Sequence, residues 1–215
     1  MTQQSSVEQI TAFEDADLED LCQATVEAII DGLGFEWLKS PGRAALERYW
    51  SGVLLVPERR LFVARLDGTI VGTAQLILPT RSNEAGSFDV TLTGFFIRPW
   101  ARGHGLARRL LTEVENAVPK PGIKQISLVV RATQEAAIRL YESAGYVRWG
   151  VKPKYAQVGR GYIAGYYYIK DLGGARRRKG APPQTAHAQT AHARTARAKP
   201  ARAKPARAKP DPAGS

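Results

Sequence analysis

The chain has 215 residues, a net charge of +11 at pH 7 and one cysteine. That length suits one domain of ordinary size plus an extension. The lone Cys22 excludes an intrachain disulfide, and no run of about 18 apolar residues is present to form a membrane span. The charge is unevenly divided. Residues 173–215 hold 11 Lys/Arg against one acid, Asp211, for a net +10; residues 1–172 hold 20 Lys/Arg against 19 Asp/Glu, for a net +1. The globular part is therefore nearly neutral, and the basic character belongs to the tail. The polar stretch 1–9 has no apolar core of a secretory signal, so a cytoplasmic location is expected. His104 stands in a loop and His187 and His192 in a low-complexity tail, so no metal site is expected.

Residues 1–13 read as a frayed lead-in. Asp15 or Asp17 can cap a helix running to about residue 31, with Leu18, Leu21, Cys22, Val26, Ile29 and Ile30 at helical spacing and Gly32 and Gly34 ending it. Cys22 lies among those apolar residues and is expected to be a buried, inert thiol. A second helix is expected over 43–50. Residues 61–66 and 69–78 read as strands joined by Asp67-Gly68, a strong hairpin signal. A third strand covers 88–97, and Gly94 inside it suggests a bulge or a close backbone approach.

Pro99 ends that strand because it has no N–H to donate. Gly103 and Gly105 allow a tight turn and the close approach of a ligand. Leu106, Leu110, Leu111 and Val114 then fall at helical spacing, so a helix is expected from 105 to about 117. Free N–H groups at a helix N-terminus, with the dipole behind them, suit a phosphate. An ordinary strand–turn–helix would use the same glycines for turn geometry alone. The loop is not the dinucleotide fingerprint, because Arg108 stands where a third glycine is needed, and no Gly-Lys-Ser/Thr follows to make a Walker loop. Residues 126–130 form a short apolar strand, and the strand–helix–strand alternation implies a parallel crossover. Thr133 can cap a helix over 134–143. Residues 146–149 and 165–170 read as a closing antiparallel pair in a segment rich in tyrosine.

The pattern Arg102-x-x-Gly105-x-Ala107 after an apolar strand resembles the acyl-CoA signature of the GNAT N-acetyltransferases. A second stretch, Leu128 to Tyr146, resembles that family's other signature, with Gln134 where asparagine is usual, Ala137, Tyr141, and then Ala144-Gly145-Tyr146. The resemblance implies an α/β GNAT fold over residues 8–172: a mixed sheet of six to seven strands flanked by about four helices. Residues 29–35 with Tyr49-Trp50, and 150–156 with Tyr166-Tyr167-Tyr168, look like the small-molecule branch that includes tabtoxin-resistance acetyltransferase.

What the resemblance implies is acetyl transfer from acetyl-CoA to a primary amine of a small molecule. An amine attacks the thioester carbonyl, an oxyanion forms, and thiolate leaves; the amine must first lose a proton. The backbone near Phe96 and Ile97 would polarise the carbonyl, and Tyr141 would protonate the sulfur. The stretch Arg102, Gly103, His104, Gly105, Leu106 and Ala107 would hold the pyrophosphate, with charge from the Arg102 side chain, and Gln134 would hold the pantetheine or the loop. Arg98, Arg108 and Arg109 read as a solvated basic rim. For the base, Asp89, Glu84, Tyr155 and Tyr166 are candidates beside a relay through water alone. Protein or peptide acetylation is an alternative, as is a non-catalytic CoA-binding module. The last strands of such folds are exposed edges, so a homodimer is also expected to be accessible.

From Gln184 the chain falls into pentads rich in Ala, Lys, Arg and Pro. Recurrent proline forbids a continuous helix, and little apolar bulk is available to bury, so residues 173–215 are expected to be disordered. Such a segment resembles the tails of bacterial histone-like proteins. It suits nonspecific nucleic-acid binding by counterion release, or simple solvation.

Overall fold

The computed structural model describes residues 4–32, 35, 37–119 and 121–173. The pentad tail, Leu33 and Gly34 lie outside the described residues. In chain order the elements are β1 (Ser5–Ile10), α1 (Asp17–Gly32), α2 (Arg43–Leu55), β2 (Arg59–Leu66), β3 (Thr69–Ile77), β4 (Asp89–Ile97), a single 3-10 turn (Pro99–Ala101), α3 (Leu106–Asn116), β5 (Gln125–Arg131), α4 (Glu135–Ser143), β6 (Val147–Val158) and β7 (Gly161–Asp171). The strands form one sheet in the order β1-β2-β3-β4-β5-β7-β6. β4 and β5 pair in parallel and the other neighbours pair antiparallel. This is the expected α/β fold, with seven strands and four α-helices among the described residues. No helix among them is long and apolar enough to cross a membrane.

Alternation along β2 decides how the sheet divides the interior. Leu61 and Val63 point to one face, and Phe62 and Ala64 to the other. The first face carries a core with Leu21, Leu46, Trp50 and Val53 of α1 and α2. The second carries a core with Leu106, Leu110, Leu111 and Val114 of α3 and Tyr141 of α4. Trp50 is fully buried and keeps its polar end satisfied: the indole N–H donates to Thr25 Oγ1 at 3.1 Å, and that hydroxyl donates to the Leu21 carbonyl at 2.7 Å. Cys22 is buried as expected, and burial pushes its thiol pKa up.

Four readings are corrected. The lead-in is an edge strand, because β1 pairs with β2 along its length. α2 continues past Gly52 to Leu55, since Leu46, Trp50 and Val53 extend one buried stripe and an interior glycine costs only about 1 kcal/mol. β6 and β7 run far beyond the short pair expected, joined at Val158 and Gly161, with a register shift between Lys152 and Ala156 that accommodates Pro153. Gln134, not Thr133, occupies the N-cap of α4, and its side chain makes no capping bond. Asp67 (φ 49°) and Gly68 (φ 84°) form the expected turn between β2 and β3.

Two constraints fix the sheet. The first is ionic. Asp17, 3% exposed at the start of α1, accepts from Arg65 Nη1 at 2.6 Å and Nη2 at 3.0 Å, and from the Glu14 amide at 3.1 Å. Arg65 also donates to Glu8 at 2.7 Å, so one guanidinium ties β1, β2 and α1. The second is a bulge in β4. Gln75 pairs with Thr93 and Thr73 with Phe96, so three steps on β4 match two on β3. Gly94 takes φ 58° there, and its carbonyl accepts the Thr73 hydroxyl at 2.8 Å. A Cβ on Gly94 would lie 2.9 Å from Gln75 Nε2.

Two outcomes are expected. Burial opposes ionisation of Asp17, but the bonds from Arg65 and the Glu14 amide outweigh it and hold the carboxyl below its ordinary 3.8. Its contribution is therefore complete above that value and lost as pH falls through the lower folded value. Asp17→Asn should cost about 2–3 kcal/mol at pH 7 and flatten the acid limb of stability, read by urea unfolding across pH; an unaltered midpoint would remove this pair from the account. Gly94→Ala combines a left-handed alanine with displacement of a buried amide and should cost about 1–3 kcal/mol in the same assay. A loss within about 0.5 kcal/mol would mean that the bulge tolerates a side chain.

Candidate active site

β4 and β5 share a ladder only from Asp89–Thr91 against Gln125–Ser127, and then part. Beyond that point the bulge turns β4 away, and a gap opens between two strands that would otherwise be bonded. Arg98 donates its amide to the Val71 carbonyl at 2.7 Å, toward β3. Successive amides of a strand point to opposite sides, so the Ile97 amide faces the gap. Phe96 and Ile97 are where a backbone donor was expected. Phe96 itself is a core residue, with its ring edge-on to Phe35 at 5.9 Å.

The loop after β4 carries the second set of donors. Gly105 sits at the N-cap of α3 with φ 71° and offers no side chain to cap the helix. The first intrahelical bond runs from Arg109 N to Gly105 O at 3.2 Å, which leaves the amides of Leu106, Ala107 and Arg108 without intrahelical acceptors. The space beside the Cα of Gly103 and of Gly105 is open. Such a cradle fits a pyrophosphate, with the α3 dipole behind it.

Arg108 and Arg109 are exposed, in keeping with a solvated rim, but other side chains around this loop are engaged within the protein. Arg98 is buried rather than a solvated rim: its Nε donates to Glu27 at 2.7 Å, and its guanidinium carbon lies 5.1 Å from the Trp100 ring centroid. That partner holds the Glu27 carboxyl below its usual range. Arg102 directs its guanidinium to Asp31 at 2.5 Å, so its side chain latches the loop to the end of α1. His104 turns its Nδ1 back to the Ala101 and Arg102 carbonyls at 3.1 Å each. Arg108 bonds to Ser143, and Arg109 to Ser5. Gln134 Nε2 donates to the Gly32 carbonyl at 2.6 Å. Arg102 and Gln134 thus grip the same last turn of α1.

One cavity of about 640 Å³ joins these parts. Phe96, Ile97, Arg102, Gly103, Gly105, Leu106, Ala107, Gln134 and Tyr141 all border it; His104 does not. Tyr141 is 5% exposed, packed edge-on against Phe95 at 5.8 Å and Tyr146 at 5.6 Å. Burial drives its phenol pKa well above the ordinary value, so it stays protonated at neutral pH. Among the proposed bases, only Tyr155 borders the cavity. Asp89 lies at the far end of β4, where it accepts the Ser127 hydroxyl at 2.9 Å, and Glu84 is exposed in the preceding loop. Among the described residues the carboxylate on the cavity wall is Asp31, already engaged by Arg102.

Sequence reasoning allowed for Tyr49 beside an acceptor but missed Arg59, Ile77 and Leu92 on the wall opposite the loop. Tyr49, Arg59, Ile77 and Leu92 close the far end of the cavity. Arg59 Nη1 donates to Gln75 Oε1 at 2.8 Å, and Gln75 Nε2 donates to Tyr49 Oη at 2.9 Å. The available signal was Gln75, a long polar side chain within a mainly apolar strand.

The profile of the acetyltransferase (GNAT) family matches residues 22–146. An uncharacterized N-acetyltransferase of the hisH-hisA intergenic region of Azospirillum brasilense is 52% identical over 129 residues, covering 60% of this chain and 77% of that one. The N-alpha-acetyltransferase RimI of Mycobacterium tuberculosis is 31% identical over 105 residues, covering 49% of this chain and 63% of that one. Among solved structures, a GNAT superfamily phosphinothricin acetyltransferase from Sinorhizobium meliloti, in complex with AcCoA, matches with a TM-score of 0.65 at 19% identity, over 84% of this chain and 97% of that one. With its family profile matched over more than half the chain, and its parted strands leading to an uncapped helix, this chain belongs to the acetyltransferase (GNAT) family.

Proposed function

We propose that the protein is an acetyl-CoA-dependent N-acetyltransferase that modifies a primary amine of a small molecule. The observation that carries this reading is the continuity of one cavity from the uncapped end of α3, through the gap between β4 and β5, to Tyr141 and the Gly94 bulge. When bound, acetyl-CoA supplies an activated thioester carbonyl and a thiolate that can leave. The amides at the start of α3 hold the pyrophosphate, and the edges of β4 and β5 receive the pantetheine arm. The Ile97 amide donates to the charge that develops on the carbonyl oxygen. Tyr141 gives its proton to the sulfur; burial keeps its phenol protonated at neutral pH, so the proton is in place when the thiolate leaves.

The acceptor enters opposite the donor, against Phe35, Tyr49, Leu92 and Tyr155. These side chains enclose a small group, which favours a compact amine over a protein surface. A small-amine acceptor is also in keeping with the likeness to the branch that includes tabtoxin-resistance acetyltransferase. No carboxylate stands at this end among the described residues, so the amine proton leaves by water held among the hydroxyls of Tyr49, Thr93 and Tyr155. We place this reaction in the cytoplasm.

Tyr141→Phe should lower kcat by about 100-fold or more, measured by thiol release, while calorimetry still records acetyl-CoA binding. Unchanged turnover would take Tyr141 out of the chemistry. The acid limb of kcat/KM should follow the pKa of the acceptor amine, moving as amines of different basicity are compared. A limb fixed at one pH for all amines would identify a protein base instead.

A further inference from the structure

The acceptor end of the cavity carries one feature that binding an amine does not require. Arg59, the first residue of β2, borders this end, and its guanidinium is held by a neutral partner, Gln75. None of the ion pairs among the described residues includes Arg59. Gln75 is fully buried and fixed at its other end by Tyr49, so the guanidinium is held in place without being neutralised. Gln75 also packs on Gly94, which puts this polar chain beside the bulge where acetyl transfer is proposed. The wall carboxylate, Asp31, belongs to the donor end.

A guanidinium has five donors in a planar fork, and Gln75 uses one. The remainder match a carboxylate in bidentate fashion. A wall with a fixed cation and, among the described residues, no anion at the acceptor end attracts an acid-bearing amine and disfavours a polycationic one. We propose that Arg59 is a specificity-determining residue that binds an acidic group of the acceptor, so that the substrate is an amine carrying a carboxylate, an amino acid or a close analogue. This rests on the acetyltransferase reading and narrows its substrate class.

The test uses the full chain with acetyl-CoA and matched pairs of acceptors: the common amino acids and their α-carboxamides, with 2-aminoethylphosphonate and spermidine alongside. The best acid should exceed its own amide about 10- to 100-fold in kcat/KM. Arg59→Gln should collapse that ratio toward one by raising KM for the acid, and Arg59→Lys should restore part of it. Preference for the phosphonate over every carboxylate would overturn the carboxylate assignment. Spermidine or an amide as the best substrate would overturn the anion subsite. Equal losses on acid and amide in Arg59→Gln would make Arg59 merely structural. If no acceptor is turned over although acetyl-CoA binds, the acetyltransferase reading falls. The subsite is then judged by calorimetry with the same pairs in the presence of CoA, where tighter binding of acid than amide supports it and equal binding overturns it.

Discussion

Beyond Thr91 the two parallel strands β4 and β5 stop sharing hydrogen bonds, and the backbone of β4 must be supported from its other side. An unpaired strand in the middle of a sheet is costly, because each buried amide or carbonyl needs a partner. The extra residue at Gly94 changes the register with β3 and keeps that ladder intact through Ile97, while the opposite edge is left open. The gap is therefore a built feature, held by Thr73, Val71 and Gln75 on β3. Both ends of the cavity take their position from it. The open edge leaves amides facing the gap, and Gln75 carries a polar chain toward Tyr49 and Arg59 at the other end.

The loop after β4 inherits this geometry. Arg98 anchors the strand end to Glu27, and Arg102 and Gln134 hold the loop and α4 to the last turn of α1. These side chains hold backbone segments in place. Positive charge near a phosphate site is easily read as direct contact with the phosphate. Here the arginines are mostly committed to carboxylates and hydroxyls of the protein, and the amides of α3 remain for the ligand.

What could be read from the sequence follows a physical division. The glycines of the loop, the helical spacing from Leu106 to Val114 and the Asp67-Gly68 turn are local signals, and each appears as expected. The Gly94 bulge was visible because a glycine inside an apolar strand needs a backbone reason. β1 was missed because its residues are mainly polar on an edge with little to bury, and its pairing partner lies more than fifty residues away. The full length of β6 was hidden by Pro153, which the register shift absorbs. Arg98 was misjudged for a similar reason: its partner, Glu27, is distant in sequence, and spacing carries no trace of the pair. The Arg59–Gln75–Tyr49 chain joins three elements and becomes visible only when they are assembled.

The sheet that separates the two cores also separates two sets of constraints. Tyr141 and the first turn of α3 pack on one side, whereas Phe35, Tyr49 and the helices that carry the acceptor wall pack on the other. Away from Glu27, Asp31 and Gly32, which hold the loop after β4 and α4, substitutions in α1 and α2 can reshape one end of the cavity while the side chains beneath α3 keep their neighbours. The strand β4 contributes Val90, Leu92 and Ile97 to one core and Phe96 to the other, so it sets the limit on how independently the two halves can vary.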